Sequence, residues 1–174
     1  MFPWFVPGVV LALVLGAVAA RPVARALSTR PAVAWLLVTS LGIALAATLT
    51  PTDTALTDGA ISSGTCDLGR IGLAPWEELS VVSATSLNVL LFVPLGVAIG
   101  LLPPSRRRTI LAAAVLLPLA IEAIQLLVPA LDRICQSADI FDNLAGLAIG
   151  LVGGLVTRWV AARRRTGAGT GAVR

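Results

Sequence analysis

The fold is decided by residues 137–154, which read Ser-Ala-Asp-Ile-Phe-Asp-Asn-Leu-Ala-Gly-Leu-Ala-Ile-Gly-Leu-Val-Gly-Gly. On a helix, residues four apart share a face, so Gly146, Gly150 and Gly154 form a glycine stripe below Asp139. Such a stripe lets a neighbouring helix approach closely and is typical of helix packing in membranes. Helix capping explains at most one of the acids in the first turns. The stretch therefore predicts a membrane helix with a polar end and a tightly packed face.

The whole chain has the composition of a membrane protein. It has 174 residues, of which 57% are hydrophobic and 13% are charged, and its mean hydropathy is +0.93. About 20 apolar residues cross a bilayer as one helix. Five stretches approach that length: 4–20, 32–49, 85–102, 109–128 and 138–161. We therefore predict an all-α bundle of about five transmembrane helices.

The first apolar stretch has two interpretations. It ends in the small residues Ala17–Ala20, which resemble a signal-peptide cleavage site. A signal peptide begins with a positively charged region, whereas residues 1–4 carry no charged side chain and the arginines follow the apolar run. We therefore expect an uncleaved span. The predicted organisation is a first helix and arginine loop (1–34), a membrane domain (35–161) and a disordered Gly-rich tail (162–174).

The arginines predict how the chain is oriented. Eleven of the thirteen basic residues fall on one side of the predicted spans, namely Arg21, Arg25, Arg30, Arg106, Arg107, Arg108, Arg158, Arg163, Arg164, Arg165 and Arg174. The other side has Arg70 and Arg133. The positive-inside rule then predicts a multi-pass protein of the cytoplasmic membrane, with its N-terminus outside and its C-terminus inside. Because the basic residues flank spans and no soluble domain follows them, no nucleic-acid partner is predicted.

The two cysteines, Cys66 and Cys135, both map to the outer face in this topology. That compartment permits disulfides, so we predict a Cys66–Cys135 bridge, with two free thiols as the alternative. The chain contains no histidine, which removes His-based zinc sites and Ser-His triads. No metal site and no cofactor are predicted.

Seven polar side chains lie near the outer end of the predicted spans, where apolar residues would be expected. They are Asn88, Glu122, Gln125, Arg133, Asp139, Asp142 and Asn143. An ionisable group within hydrocarbon costs roughly 2.5–3.5 kcal/mol and usually marks a functional site. We predict that these side chains form a ligand site, and that Glu122, Arg133 and Asp139 are linked by charge. Internal helix-to-helix bonds, including a structural Glu–Arg pair, are the alternative.

The third span supplies further packing residues. Phe92 lies one turn from Asn88, and Gly96 and Gly100 form a second glycine face. Pro94 removes one backbone hydrogen bond, so the helix is expected to kink there. We predict that Phe92, Pro94 and these glycines pack the bundle together with the stripe in the last span.

The order of these motifs resembles that of the VanZ-like family over about residues 35–160. The resemblance is carried by Asn88-x-x-x-Phe92-x-Pro94-x-Gly96, Glu122-x-x-Gln125, Arg133, Asp139, Asn143, Gly146 and Gly150. The segments 133–139 and 66–68 look like the actinobacterial version of the family. The resemblance implies a small polytopic membrane protein whose founding relative is associated with low-level teicoplanin resistance.

Three functions are compatible with these observations, and the oligomeric state stays open. The favoured one is a non-enzymatic envelope protein that binds membrane lipids and an amphiphilic, lipid-linked or lipoglycopeptide ligand at the outer leaflet. The second is an enzyme acting on a lipid headgroup, with Glu122, Asp139 and Asp142 as acid, base or metal ligands and Arg133 on a phosphate. The third is a small transporter, whose site would lie nearer the midplane. The absence of a catalytic signature argues against the enzyme, so no catalytic residue is assigned.

Overall fold

The computed structural model describes residues 4–169, and nearly all of its regular structure is helical. The elements are α1 (Phe5–Ala26), α2 (Pro31–Leu49), α3 (Asp53–Thr57), β1 (Cys66–Asp67), α4 (Trp76–Leu79), α5 (Ala84–Leu101), α6 (Pro104–Leu127), a 3-10 turn (Pro129–Leu131), β2 (Cys135–Gln136) and α7 (Ser137–Gly169). Within the described chain, α1, α2, α5, α6 and α7 are long and apolar enough to cross a membrane. The predicted all-α membrane bundle is confirmed.

Three helices extend further than the apolar stretches that predict them. Helix α1 continues past Arg21 to Ala26, α6 begins at Pro104 ahead of three arginines, and α7 continues to Gly169. Hydropathy marks only the part of a helix that suits hydrocarbon, whereas alanine and arginine are good helix formers at its end. The tail predicted as disordered is therefore helical as far as Gly169. Residues 170–174, like residues 1–3, lie outside the described part of the chain.

The bundle has two chemically different ends. At one, which we call the arginine end, α1 and α2 are joined by residues 27–30, and α5 and α6 by residues 102–103. Arg158 of α7 also donates to the carbonyl of Leu102 there. At the other, which we call the polar end, lie the long 50–83 connection and the start of α7. Ten of the eleven arginines predicted for this side lie in or beside α1, α2, α6 and α7 at this end, and the eleventh, Arg174, lies outside the described residues.

The closest helix packing in the bundle is between α5 and α7, which run parallel to each other. A methyl group placed on Gly146 would collide with the carbonyl oxygen of Val89, and one on Gly150 with that of Val93. The remaining glycines of the two stripes, Gly96, Gly100 and Gly154, meet the partner backbone in the same way. Because no side chain separates the two helices, their backbones pack directly against each other.

The core lies beside this contact and includes α2 and α6. Its fully buried centre contains Phe92 and Ile99 from α5, Ile121 from α6 and Ala44 from α2. Helix α5 continues through Pro94, whose ring is exposed at the side of the bundle. Phe92 therefore packs the core, whereas Pro94 faces outward.

The long connection is fastened to the residues that precede α7. Cys66 and Cys135 form a disulfide, which the sequence predicts. Around it β1 and β2 pair in parallel, with Cys66 opposite Cys135 and Asp67 opposite Gln136. The strand pair is not predicted from the sequence, because two-residue strands leave no alternating pattern. These bonds place the middle of the connection beside the first turn of α7.

Candidate functional site

The acids of α7 meet an arginine from the long connection. The Nη2 atom of Arg70 lies 2.6 Å from the Oδ2 atom of Asp142, whose side chain is only 2% exposed. Arg70 also donates through Nη1 to the carbonyl of Gly72 at 3.0 Å. The hydrogen bond to Asp142 raises the pKa of Arg70, so the guanidinium stays charged. The pair therefore joins the connection to the start of α7 through a mostly buried ion pair.

Two further acids are connected to this ion pair, Asp139 directly and Glu122 through Asp139. Asp139 is hydrogen-bonded to the side chain of Asn88 on α5 and interacts electrostatically with Asp142 and Arg70. Glu122 of α6 also interacts electrostatically with Asp139. We call these five residues, Glu122, Asp139, Asp142, Asn88 and Arg70, the acidic cluster. It brings together side chains from α5, α6, α7 and the long connection.

Glu122 is held by the backbone of β2. Its side chain is buried, and its Oε2 atom accepts a hydrogen bond of 2.7 Å from the N–H of Gln136. Such a bond stabilises a carboxylate without adding a cation. Glu122 is thereby fixed at the polar end of α6, one turn before Gln125.

A second polar group at the same end contacts the last turn of α2. Gln125 donates through Nε2 to the carbonyl of Thr48 at 2.9 Å. Arg133 donates to the carbonyl of Ala47 at 2.9 Å and to that of Thr50 at 3.0 and 3.1 Å. The last carbonyls of a helix have no partner inside the helix and carry its negative dipole end, so a guanidinium suits them. Burial lowers the pKa of Arg133, but an arginine remains protonated in proteins.

The structure corrects the predicted link between Glu122, Arg133 and Asp139. Arg133 bonds to α2 carbonyls, Glu122 accepts from Gln136, and the arginine among the acids is Arg70. The prediction relied on nearness in sequence. Arg133 lies close to Asp139 in the chain, whereas Arg70 lies more than sixty positions before Asp139. The disulfide could have identified Arg70. Arg70 follows Cys66 by four residues and Asp139 follows Cys135 by four, so a bridge between the two cysteines brings Arg70 near Asp139.

Two buried amide oxygens at the polar end have no hydrogen-bond partner among the described residues. They are Oε1 of Gln125 and Oδ1 of Asn143. Exchanging the amide atoms of Gln125 would face its oxygen toward the Thr48 carbonyl, so the observed orientation is the favourable one. A buried acceptor without a donor costs about 1–3 kcal/mol. Both oxygens are enclosed within the bundle, so either would gain a hydrogen bond only from a donor that enters beside it.

The seven side chains predicted for the site all lie at the polar end, and six of them form two groups. Asn88, Glu122, Asp139 and Asp142 belong to the acidic cluster, whereas Gln125 and Arg133 contact α2. Asn143 is buried one turn after Asp139. Within residues 4–169, no group of three or more His, Cys, Asp or Glu side chains could hold a metal ion.

An apolar groove of about 470 Å³ lies on the side of the bundle. Helices α1, α2 and α5 line it, through residues such as Leu13, Trp35, Leu36, Leu90 and Pro94. These residues lie within membrane-spanning segments, so the groove suits hydrocarbon rather than a polar ligand.

The comparison with protein families agrees with the order of motifs. The family model VanZ/LLP1 matches residues 32–158, which include all of the acidic cluster and both cysteines. Neither a curated protein nor a solved structure matches the chain. The family match covers more than half of the sequence and excludes only α1 among the five long helices. The chain therefore belongs to the VanZ/LLP1 family.

Proposed function

We propose that this VanZ-like protein of the cytoplasmic membrane binds an amphiphilic or lipid-linked ligand at its polar end and acts without catalysing a reaction. In this proposal the polar end borders the outer leaflet, where the headgroup of the ligand meets the acidic cluster and its tail stays in the bilayer. Binding there would alter susceptibility to acylated glycopeptides such as teicoplanin.

The observation that supports binding most strongly is the pair of unsatisfied amide oxygens. The side chains of Asn143 and Gln125 are 1% and 5% exposed, yet each has an oxygen without a donor in the described chain. Each unmade bond destabilises the fold, so buried acceptors without a donor are uncommon in a network that only joins helices. A ligand that brings N–H or O–H groups would satisfy them.

The charges of the acidic cluster support the same proposal. The cluster contains three carboxyl groups but one guanidinium, that of Arg70, which is already paired with Asp142. A ligand headgroup with hydrogen-bond donors or a positive charge would complement this surplus of acceptors. Because the cluster lies at one end of the spans, a headgroup bound there would be near the membrane surface.

The experiment that tests this proposal is the replacement Glu122→Gln. The amide can still accept the hydrogen bond from Gln136, so we expect the fold to be retained. The variant loses the charge-assisted hydrogen bond that the ligand would donate to the Glu122 carboxylate. Such a bond contributes about 1.5–3 kcal/mol, so binding should weaken at least about tenfold. The measurement is the binding of fluorescent teicoplanin to purified protein in nanodiscs.

Glu77→Gln is the matched control, because Glu77 is exposed on α4 at the same end of the molecule. It should bind the probe as the unmodified protein does. If Glu122→Gln binds normally, or loses folded yield without a separate binding defect, the acidic cluster is structural and the proposal fails.

A lipid-headgroup enzyme is the second candidate, favoured by the electrostatic contact between Asp139 and Asp142. Two carboxyl groups held close together can share one proton and act as acid and base. Incubating the protein in nanodiscs with isotope-labelled polyprenyl-linked cell-wall precursor distinguishes the two functions. Binding without a change in the precursor's mass supports the first proposal, whereas a released headgroup supports the enzyme. A transporter is a weaker candidate, because the polar side chains lie at one end only.

The proposed orientation rests on the arginine asymmetry and has its own test. Reporter fusions after Ala60 and after Arg165 should report opposite sides of the membrane, with Ala60 outside. A cytoplasmic signal at Ala60 would reverse the orientation and move the proposed site to the inner leaflet.

A further inference from the structure

The segment 68–82, in the long connection, has an unusual surface for a loop. Its large apolar side chains are mostly exposed, namely Leu68, Ile71, Leu73, Trp76, Val81 and Val82. Val82 is 91% exposed and Trp76 is 75% exposed. Contiguous apolar surface of this kind marks an interaction site rather than a surface that faces water. We call this segment the apolar strap.

One end of the apolar strap is fixed to the first turn of α5. The Ser83 hydroxyl donates to the carbonyl of Glu78 at 2.9 Å, and the Ser86 hydroxyl donates to the carbonyl of Val81 at 2.8 Å. Ser83 and Ser86 also cap the helix reciprocally. Helix α4 and the two valines therefore cannot move away from the point where α5 begins.

The other end is fixed to the first turn of α7. The Ser137 hydroxyl donates to the carbonyl of Arg70 at 2.7 Å, and the guanidinium of Arg70 pairs with Asp142. The nearby disulfide between Cys66 and Cys135 adds a covalent tie. The strap is thus held between the starts of two parallel spans.

The length of α5 sets the depth of the strap. Helix α5 has 18 residues, which corresponds to about 27 Å at 1.5 Å per residue. The hydrocarbon core of a bilayer is about 30 Å thick, so the whole length of α5 is needed to cross it and no turn of α5 extends beyond the hydrocarbon. Its N-cap, Ser83, must lie at the boundary of the hydrocarbon, and Val81, Val82 and α4 lie directly beside it. Tryptophan is enriched at this boundary.

We infer that the apolar strap is inserted into the membrane leaflet that borders the polar end, with Trp76, Val81 and Val82 in contact with lipid. Glu77 and Glu78, which are exposed on α4, remain at the aqueous edge. The strap is a membrane-surface element that fixes the depth of Arg70 relative to the lipid headgroups. This insertion does not require that the acidic cluster bind a ligand.

The test measures contact between Trp76 and lipid. A variant that keeps only Trp76 (Trp4→Phe, Trp35→Phe and Trp159→Phe) is reconstituted into phosphatidylcholine vesicles containing lipids brominated near the headgroup or deep in the chain. We expect loss of most of its fluorescence with shallow bromines, less loss with deep ones, and protection from aqueous iodide. The matched control adds Trp76→Phe and Asp58→Trp, which moves the fluorophore to an exposed acidic part of the same connection. The control should be quenched by iodide and not by either lipid.

A second measurement needs no variant. The unmodified protein in the same vesicles is irradiated with a diazirine phospholipid, and lipid adducts are mapped by mass spectrometry. Adducts within residues 71–82 as well as in the spans support insertion. If Trp76 is quenched by iodide but not by bromolipid, or if the spans are labelled and residues 71–82 are not, the strap faces water or another protein and the inference is overturned.

Discussion

Two helix pairs in this bundle use small residues at their interfaces, but the glycines meet different groups. Between α5 and α7, a methyl group on Gly150 would strike the backbone carbonyl of Val93. Between the antiparallel α1 and α2, a methyl group on Gly42 would lie 2.7 Å from the side-chain methyl of Ala12. In the α5–α7 pair the glycines contact the backbone of the partner helix, whereas in the α1–α2 pair Gly42 contacts a side chain of the partner helix.

The two pairs also differ in polarity. The α5–α7 pair begins with Asn88 and Asp139, which are hydrogen-bonded to each other across the interface. The α1–α2 pair has no ionisable side chain between Trp4 and Ala20 or between Pro31 and Leu49. The tightest packing in the molecule therefore supports its most polar end. A site whose supporting helices cannot shift holds its side chains in a fixed geometry, whereas α1 packs on α2, which contributes Ala44 to the core.

The largest expected effect comes from breaking the α5–α7 contact with Gly150→Val. Because the obstacle is backbone rather than a movable side chain, we expect a loss of more than about 3 kcal/mol in the free energy of unfolding and little folded protein. The measurement is the yield of monodisperse protein in detergent. Gly153→Val is the matched control, since a methyl group there meets only a Val97 methyl at 3.9 Å. Equal yields of the two variants would contradict the close backbone packing.

The next effect separates the two arginines of the polar end. Arg70→Gln leaves the carboxylate of Asp142 buried without its cation, which we expect to reduce the free energy of unfolding by about 3 kcal/mol. Arg133→Gln removes charge-assisted hydrogen bonds to the carbonyls of Ala47 and Thr50 but leaves no buried charge behind, so it should cost less, about 2 kcal/mol. Unfolding in mixed detergent measures both. A larger loss in Arg133→Gln would mean that the α2 terminus, rather than the ion pair, stabilises this end.

A smaller effect is expected in the α1–α2 pair. Gly42→Ala places a methyl group against that of Ala12, and two helices that meet through a side chain can separate slightly. Alanine also favours the helix by about 1 kcal/mol over glycine, which offsets part of the strain, so we expect a net loss of about 1 kcal/mol or less. A loss as large as that of Gly150→Val would remove the distinction between the two helix pairs.

The smallest effect concerns the start of α3, which is joined to Asp132 at the end of the 3-10 turn. The hydroxyls of Thr52 and Thr54 donate to Asp132 and lower the pKa of its carboxyl group. A carboxyl whose pKa is lower in the folded state stabilises the fold above its ordinary pKa of about 3.9, and this contribution is lost as the pH falls through the lower folded value. Asp132→Asn should therefore slightly reduce the dependence of the melting temperature on pH below about 4. An unchanged dependence would show that these bonds do not contribute to stability.

The sequence predicts the spans, the glycine stripes and the disulfide because each depends on local composition or spacing. Helix ends at the arginines are predicted less well, since Arg and Ala continue a helix beyond the hydrocarbon. The partner of the acids is missed for a different reason. Arg70 reaches Asp142 only because the long connection folds back onto α7. No periodic pattern in the sequence predicts this contact between the connection and α7. Arg133, adjacent in sequence, bonds instead to carbonyls that are freed by the end of α2.

The central claim is that the polar end binds a ligand from outside the chain rather than serving only to join helices. The most direct measurement observes the two unsatisfied amides. The chain has two asparagines and two glutamines, Asn88, Asn143, Gln125 and Gln136, so selective ¹⁵N labelling gives four side-chain amide groups to resolve in nanodiscs. On titration with teicoplanin, we predict that the Asn143 and Gln125 signals shift together and saturate. If the probe binds the nanodiscs while both signals stay unchanged, the polar end is not the binding site.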